Sequence, residues 1–116
     1  AETVPSVSVD PAISDPRPMM LEVSGLTIEP ATGGAIVRAR GLAPGPGYWG
    51  AELVPFADER PVNGALIYYF RASAPAAPGA TGPRVLTVGR FVSTGQLDGA
   101  RAVIVRSETN QQRSVR

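Results

Sequence analysis

The amino-acid sequence predicts an all-β domain, a seven-stranded antiparallel sandwich with Greek-key connections. Three observations carry that prediction. Short segments alternate apolar and polar residues, the period that places successive side chains on opposite faces of a sheet. Turn signals separate these segments at intervals of roughly 8 to 15 residues. No segment carries an apolar stripe at the three-to-four spacing of a helix. The 13 glycines and 12 prolines among 116 residues suit a chain with many tight turns. A single domain of this length buries roughly 65% of its unfolded surface, so it needs neither metal nor disulfide to stand.

The elements follow in order. Residues 1–18 hold Pro5, Pro11, Pro16 and Pro18, a density expected to forbid helix and to disfavour a central strand. They are expected to form a tether or a strap on the sandwich, with Val7-Ser8-Val9 inside a seventh, edge strand at 4–9. The domain proper spans 19–107. Residues 19–28 place Leu21, Val23, Leu26 and Ile28 inward, and the phase slips at Gly25, which predicts a bulge. Thr32-Gly33-Gly34 is a turn. Residues 35–42 alternate, with Val37 and Ala39 inward and Arg38 and Arg40 outward. Residues 43–47, Ala-Pro-Gly-Pro-Gly, form a loop. In 48–56, Trp49, Ala51 and Leu53 share one face and Glu52 takes the other.

Residues 58–64 are polar and end in the turn dipeptide Asn63-Gly64. Residues 65–72 put Leu66, Tyr68 and Phe70 inward and Ile67, Tyr69 and Arg71 outward. The Ala/Pro/Gly stretch 73–83 is long enough to cross between sheets. Strands at 84–93 and 100–107 flank Leu97-Asp98-Gly99, a hairpin signal. Residues 108–116 are polar and aperiodic, and are expected to fray. The expected core is Leu21, Val23, Leu26, Ile28, Val37, Trp49, Leu53, Leu66, Tyr68, Phe70, Leu86, Val88, Val103 and Val105.

Composition narrows the chemistry. The chain has no histidine and no cysteine, and all 11 cationic side chains are arginine. Histidine is the side chain that titrates near neutrality, and Ser-His, Ser-Lys and cysteine nucleophiles all need residues that are missing. Gly45-Pro46-Gly47-Tyr48-Trp49-Gly50 matches a dinucleotide-binding string, but a proline removes one amide donor and a strand follows, so it reads as a turn. Carboxylates lack a spacing that forces them together, whether for hydrolysis or for a metal. A net charge of +1 with dispersed arginines gives nucleic acid no basic stripe to meet. No cofactor, metal or catalytic residue is expected.

The aromatic residues remain. An outward Tyr69 beside Ile67 and Arg71, with Ile36 on the same face, would make an interface patch; alternatively Tyr69 is a lone surface aromatic and Trp49 and Tyr68 are core. Candidate binding residues are Tyr48, Tyr69, Arg71, Pro46 and Gly47, in and around the loop 44–47.

The segment TIEPATGGAIVRARGLAPGPGYWGAELVP, with FVSTGQLDGARAVIVR further on, resembles small bacterial exported domains, often lipoproteins, built on an immunoglobulin-like sandwich. The resemblance covers about residues 19–107 and rests on turn-and-strand motifs. It implies an exported protein, periplasmic or an outer-membrane lipoprotein, whose lipid-bearing cysteine would precede the proline-rich tether. The chain departs from antibody-type domains in having no inter-sheet disulfide. The expected role is a non-enzymatic binding or scaffold domain at the bacterial cell envelope. Its partner would be a protein or a second copy, with no nucleic acid and no membrane contact beyond a removed lipid anchor. Two alternatives stand beside it: a carbohydrate-binding accessory module using coplanar exposed aromatics, and a carboxylate-dependent hydrolase drawing on Glu52, Asp58 and Glu59.

Overall fold

The computed structural model describes residues 11–76, 81–82 and 84–115, so the alternating segment at 4–9 lies outside the described residues. Two sheets enclose the core. One holds β1 (Glu22–Ala31), β2 (Gly34–Leu42) and β5 (Val85–Ser93), in the order β1-β2-β5. The other holds β3 (Trp49–Pro55), β4 (Ala65–Ser73), β6 (Ala102–Arg106) and β7 (Gln111–Val115), in the order β3-β4-β6-β7. The chain crosses between sheets after β2, after β4 and after β5. The second of these crossings is the long 73–83 connection, as its composition predicts.

Turn chemistry explains the hairpins. Asn63 and Gly64 both adopt the left-handed conformation, at φ 52° and 80°. Val62 and Ala65 exchange backbone hydrogen bonds across them (2.7 and 3.1 Å), so this is a two-residue hairpin of the primed type. The β1–β2 register shifts between Val23 and Gly25, at the bulge the sequence marks.

Five features differ from the sequence reading. First, the sheets are not wholly antiparallel: β4 and β6 pair in parallel, from Ala65 opposite Ala102 to Tyr69 opposite Arg106. β6 is reached by a crossover rather than a hairpin, which allows that direction. Second, Leu97-Asp98-Gly99 closes no hairpin. It ends a helical turn, α2 (Thr94–Leu97), whose N-cap Ser93 forms a reciprocal capping box with Gln96. Third, residues 111–115 form β7 rather than a frayed arm, paired along β6. No apolar alternation marks this strand in the sequence, whose one apolar residue is Val115. Asn110 and Gln112 tie it to β1 through the backbone N–H and carbonyl of Val23.

Fourth, prolines 11–18 do not exclude helix. Pro11 opens the short turn α1 (Pro11–Ser14), the one helical position where a missing N–H costs nothing. The strap that follows adds to β4. The Ala72 N–H donates to the Pro18 carbonyl (3.1 Å) and the Met20 N–H to the Phe70 carbonyl (2.8 Å). The Leu21 N–H then reaches the Leu42 carbonyl (2.8 Å), so the chain switches sheets at this point.

Fifth, Trp49 is not core; it is 62% exposed. The β3–β4 register shifts between Trp49 and Glu52, and Gly50 sits at φ +63°. One extra residue inverts the alternation. Ala51 and Leu53 still face inward, while Trp49 lies opposite Ser73 on the outer face.

The remaining core prediction stands in outline. Val23, Val37, Leu53, Leu66, Tyr68, Phe70, Val103 and Val105 are buried, joined by Met20, Val92 and Leu97. Leu26, Ile28, Leu86 and Val88 are half-buried against them. The Phe70 ring lies over Gly41, where a Cβ would come within 3.0 Å of the ring and 2.7 Å of the Glu22 carbonyl oxygen. Truncating the two aromatics should therefore separate cleanly. Phe70→Ala is expected to cost about 3–5 kcal/mol and Trp49→Ala below about 1 kcal/mol, read from urea unfolding midpoints.

Candidate functional site

The outer face of the four-stranded sheet carries the aromatic cluster. Outward positions of β3, β4 and β6 bring Val54, Tyr69 and Arg106 into one row across the strands. Phe56, just beyond β3, stacks on Tyr69 with ring centroids 6.0 Å apart and planes inclined by 23°. Two guanidiniums approach the Tyr69 ring, Arg71 at 5.8 Å and Arg106 at 5.9 Å from its centroid. Arg106 also donates to the Tyr69 hydroxyl (3.3 Å) and to the Gln111 amide oxygen (3.0 Å). Such cation–π contacts hold an aromatic rigid and keep its edge available, the composition that protein interfaces favour.

The five predicted site residues divide. Tyr69 and Arg71 come together as expected. Arg71 is buried, however, and donates to the carbonyls of Arg17 (2.6 Å) and Ile13 (3.3 Å). It latches the strap to the sheet rather than standing open to a partner. Asp15 and Arg17 complete the latch: Arg17 pairs with Asp15 (2.6 Å) and with Glu52 of β3 (2.8 Å). The Arg17 hydrogen bonds hold the Asp15 carboxyl at about 2. Tyr48 turns the other way and packs against the core, while Pro46 is exposed and Gly47 turns the loop at φ +86°. The loop is stapled by the Arg84 guanidinium, which donates to the carbonyls of Ala43 (3.2 Å) and Pro44 (3.4 Å). An open cleft of about 570 Å³ separates strap and loop, lined by Asp15, Arg17, Pro44, Arg71 and Glu108 among others. Ile36 belongs to the other sheet and lies opposite Phe91, so it takes no part in the Tyr69 patch.

The proposed hydrolytic carboxylates lie apart. Glu52 pairs with Arg17 on the outer face, and Asp58 is exposed. Glu59 is buried between the sheets and accepts four hydrogen bonds. They come from Arg90 twice (2.8 and 3.0 Å), from the Tyr68 hydroxyl (2.7 Å) and from the Gln96 amide (2.8 Å). Burial alone would push this carboxyl up, but the bonds from Arg90 and Tyr68 and the Arg90 charge outweigh it and hold it below the ordinary 4.5. Burial, and donation to Glu59, in turn push the Tyr68 phenol well above its usual range. Four donors fill the acceptor sites of this carboxylate. The turn carrying it is strained: Ala57, Asp58 and Glu59 adopt φ of 58°, 55° and 60° in succession. Left-handed residues with a Cβ cost about 1–2 kcal/mol each, so the network must hold the turn against roughly 3–6 kcal/mol.

Sequence reasoning missed Phe56, Arg106, Arg90 and Gln96 as partners. Arg90 left a readable trace, because it occupies an inward position in the alternation Leu86, Val88, Arg90, Val92. A charge at such a position requires a buried counter-charge. The Tyr69–Arg106 contact left none, since it depends on the parallel pairing of β4 with β6. Among the described residues no three acidic, histidine or cysteine side chains gather where a metal ion could sit. No protein-family model matches the chain, and no curated protein or solved structure matches it either.

The Glu59 network sets an acid limit on stability. Above 4.5 the carboxylate is ionised whether the chain is folded or not, and its full contribution is present. Below that value the unfolded chain takes up the proton first, and stability falls until the lower folded value is passed. Glu59→Gln is expected to lose about 2–3 kcal/mol at pH 7, since it leaves Arg90 half-buried without its counter-charge. Its unfolding free energy should also depend less on pH than the wild type's between pH 6 and the acid transition, measured by denaturant titration at each pH.

Proposed function

We infer that this chain is a non-catalytic binding or scaffold domain of the bacterial cell envelope that meets a protein partner on the outer face of its four-stranded sheet. The observation that carries the reading is the Phe56–Tyr69 stack with Arg106 laid over Tyr69. Half-buried aromatics fixed beside a guanidinium form an interaction centre with little side-chain entropy left to lose. Arg106 and, one strand further, Arg113 have no carboxylate partner among the described residues. The fitting partner therefore presents carboxylates around an apolar or aromatic anchor.

The envelope location rests on the resemblance to exported domains and on the proline-rich residues 1–18. The immunoglobulin-like reading is supported by two facing sheets with crossovers after β2 and β4, and the parallel β4–β6 pair is where the connectivity departs from that pattern. The carbohydrate-module alternative asks for aromatics side by side in one plane. Trp49 and Tyr69 share the outer face, but the rungs they occupy are four residues apart along β4, roughly 13 Å, with the latched Arg71 between them.

Affinity capture from envelope extract with the wild-type domain, Tyr69→Ala, Arg106→Ala and a control on the opposite sheet, Arg40→Ala, tests the assignment. A protein retained by wild type and Arg40→Ala but reduced about tenfold or more by either outer-face substitution is the expected result. Retention that ignores Tyr69 and Arg106 removes this face as the interface.

A further inference from the structure

We propose that two copies of this chain associate through the edge of β5 that no strand among the described residues covers, joining their three-stranded sheets into one six-stranded sheet. The two sheets present four edges, β1, β5, β3 and β7. β1 is interrupted by the bulge at Gly25, carries Pro30, and is capped at Val23 by Asn110 and Gln112. β3 carries Pro55 and a register shift between Trp49 and Glu52. β7 is only five residues long. Each edge thus has a feature that discourages pairing with another chain. β5 has none of them. It runs nine residues against β2 without a register shift, and contains no proline.

Its hydrogen-bonding direction can be read from its ends. The Arg84 carbonyl accepts from the Ala43 N–H (2.6 Å) and the Thr94 N–H donates to the Gly33 carbonyl (2.9 Å). Even-numbered residues therefore bond towards β2. The N–H and C=O groups of Val85, Thr87, Gly89 and Phe91 point to the open edge. Their side chains share the outer face, and none is charged. Val85 is 48% and Phe91 51% exposed, while Leu86 and Val88 on the inner face are half-buried against the core.

An antiparallel two-fold pairing centred on Val88 satisfies these groups in one register. Val85 faces Phe91 of the second copy and Thr87 faces Gly89, all as hydrogen-bonded pairs, for about eight bonds in total. The Val–Phe pair is a favourable β-branched–aromatic match. Arg90, already bound to Glu59, brings no unpaired charge to the axis. The surface is distinct from the Tyr69 face, so the two assignments stand or fall separately.

Sedimentation over roughly 1–200 μM tests the association. The wild type should be a dimer at the upper end. Thr87→Pro removes one edge N–H while leaving every β2 bond in place, a substitution that edge strands tolerate, and should weaken the dimer at least about tenfold, with a thermal midpoint unchanged at concentrations where the wild type is monomeric. Cysteine cross-linking is clean because the chain has no cysteine of its own. Residue 88 of each copy would sit at a non-hydrogen-bonded pair about 4.5 Å apart, within disulfide range. Val88→Cys should link on mild oxidation and Phe91→Cys should not. A monomer at every concentration, a dimer indifferent to Thr87→Pro, or linkage through residue 91 instead of 88 overturns the proposal.

Discussion

A buried carboxylate holds the two sheets in register. Glu59 comes from the β3–β4 connection, Tyr68 from β4, Arg90 from β5 and Gln96 from α2. These four positions belong to both sheets and to two of the connections between strands. Apolar packing between sheets is non-directional and tolerates sliding, whereas a carboxylate with four fixed donors does not. The network also stabilises a turn of three left-handed residues that would not persist unaided. Its geometry accounts for an arginine at an inward strand position and a phenol at the centre of the core.

The outer face is organised by a second arginine. Arg71 projects outward from β4, yet the strap bends over it and presents two carbonyls, so the residue is sequestered. Arg17, Asp15 and Glu52 extend that latch across β3. The strap then enters the sheet beside β4 and leaves it to begin β1, so the start of the domain is woven into both layers. Among the described residues, the Tyr69–Phe56–Arg106 cluster and the exposed Trp49 remain on this face. The two arginine networks thus divide the work: one fixes the layers, and the other sequesters part of the outer face under the strap.

Much of the architecture was readable from residue order because it follows from local rules. The alternation in β2 and β4, the Asn63-Gly64 hairpin and the slip at Gly25 each reflect a preference that a few neighbouring residues settle among themselves. The errors have local causes too, but of a kind that competes with alternation. Gly50 at positive φ reverses the face of Trp49. A capping box at Ser93 and Gln96 turns an apparent hairpin into a helical crossover. The strand at 111–115 has no apolar period because amide side chains, rather than burial, attach it to β1.

Residue order by itself determined the all-β class, the two-layer arrangement, most of the core and the lack of imidazole and thiol chemistry. It did so because backbone sterics, side-chain period and residue inventory act over short stretches of chain. Tertiary structure alone decided the parallel pairing of β4 with β6, the burial of Arg71, the exposure of Trp49 and the meeting of Glu59 with Arg90. Each of these depends on which distant strand becomes a neighbour, and that choice is made by the packing of the whole sandwich rather than by any segment within it.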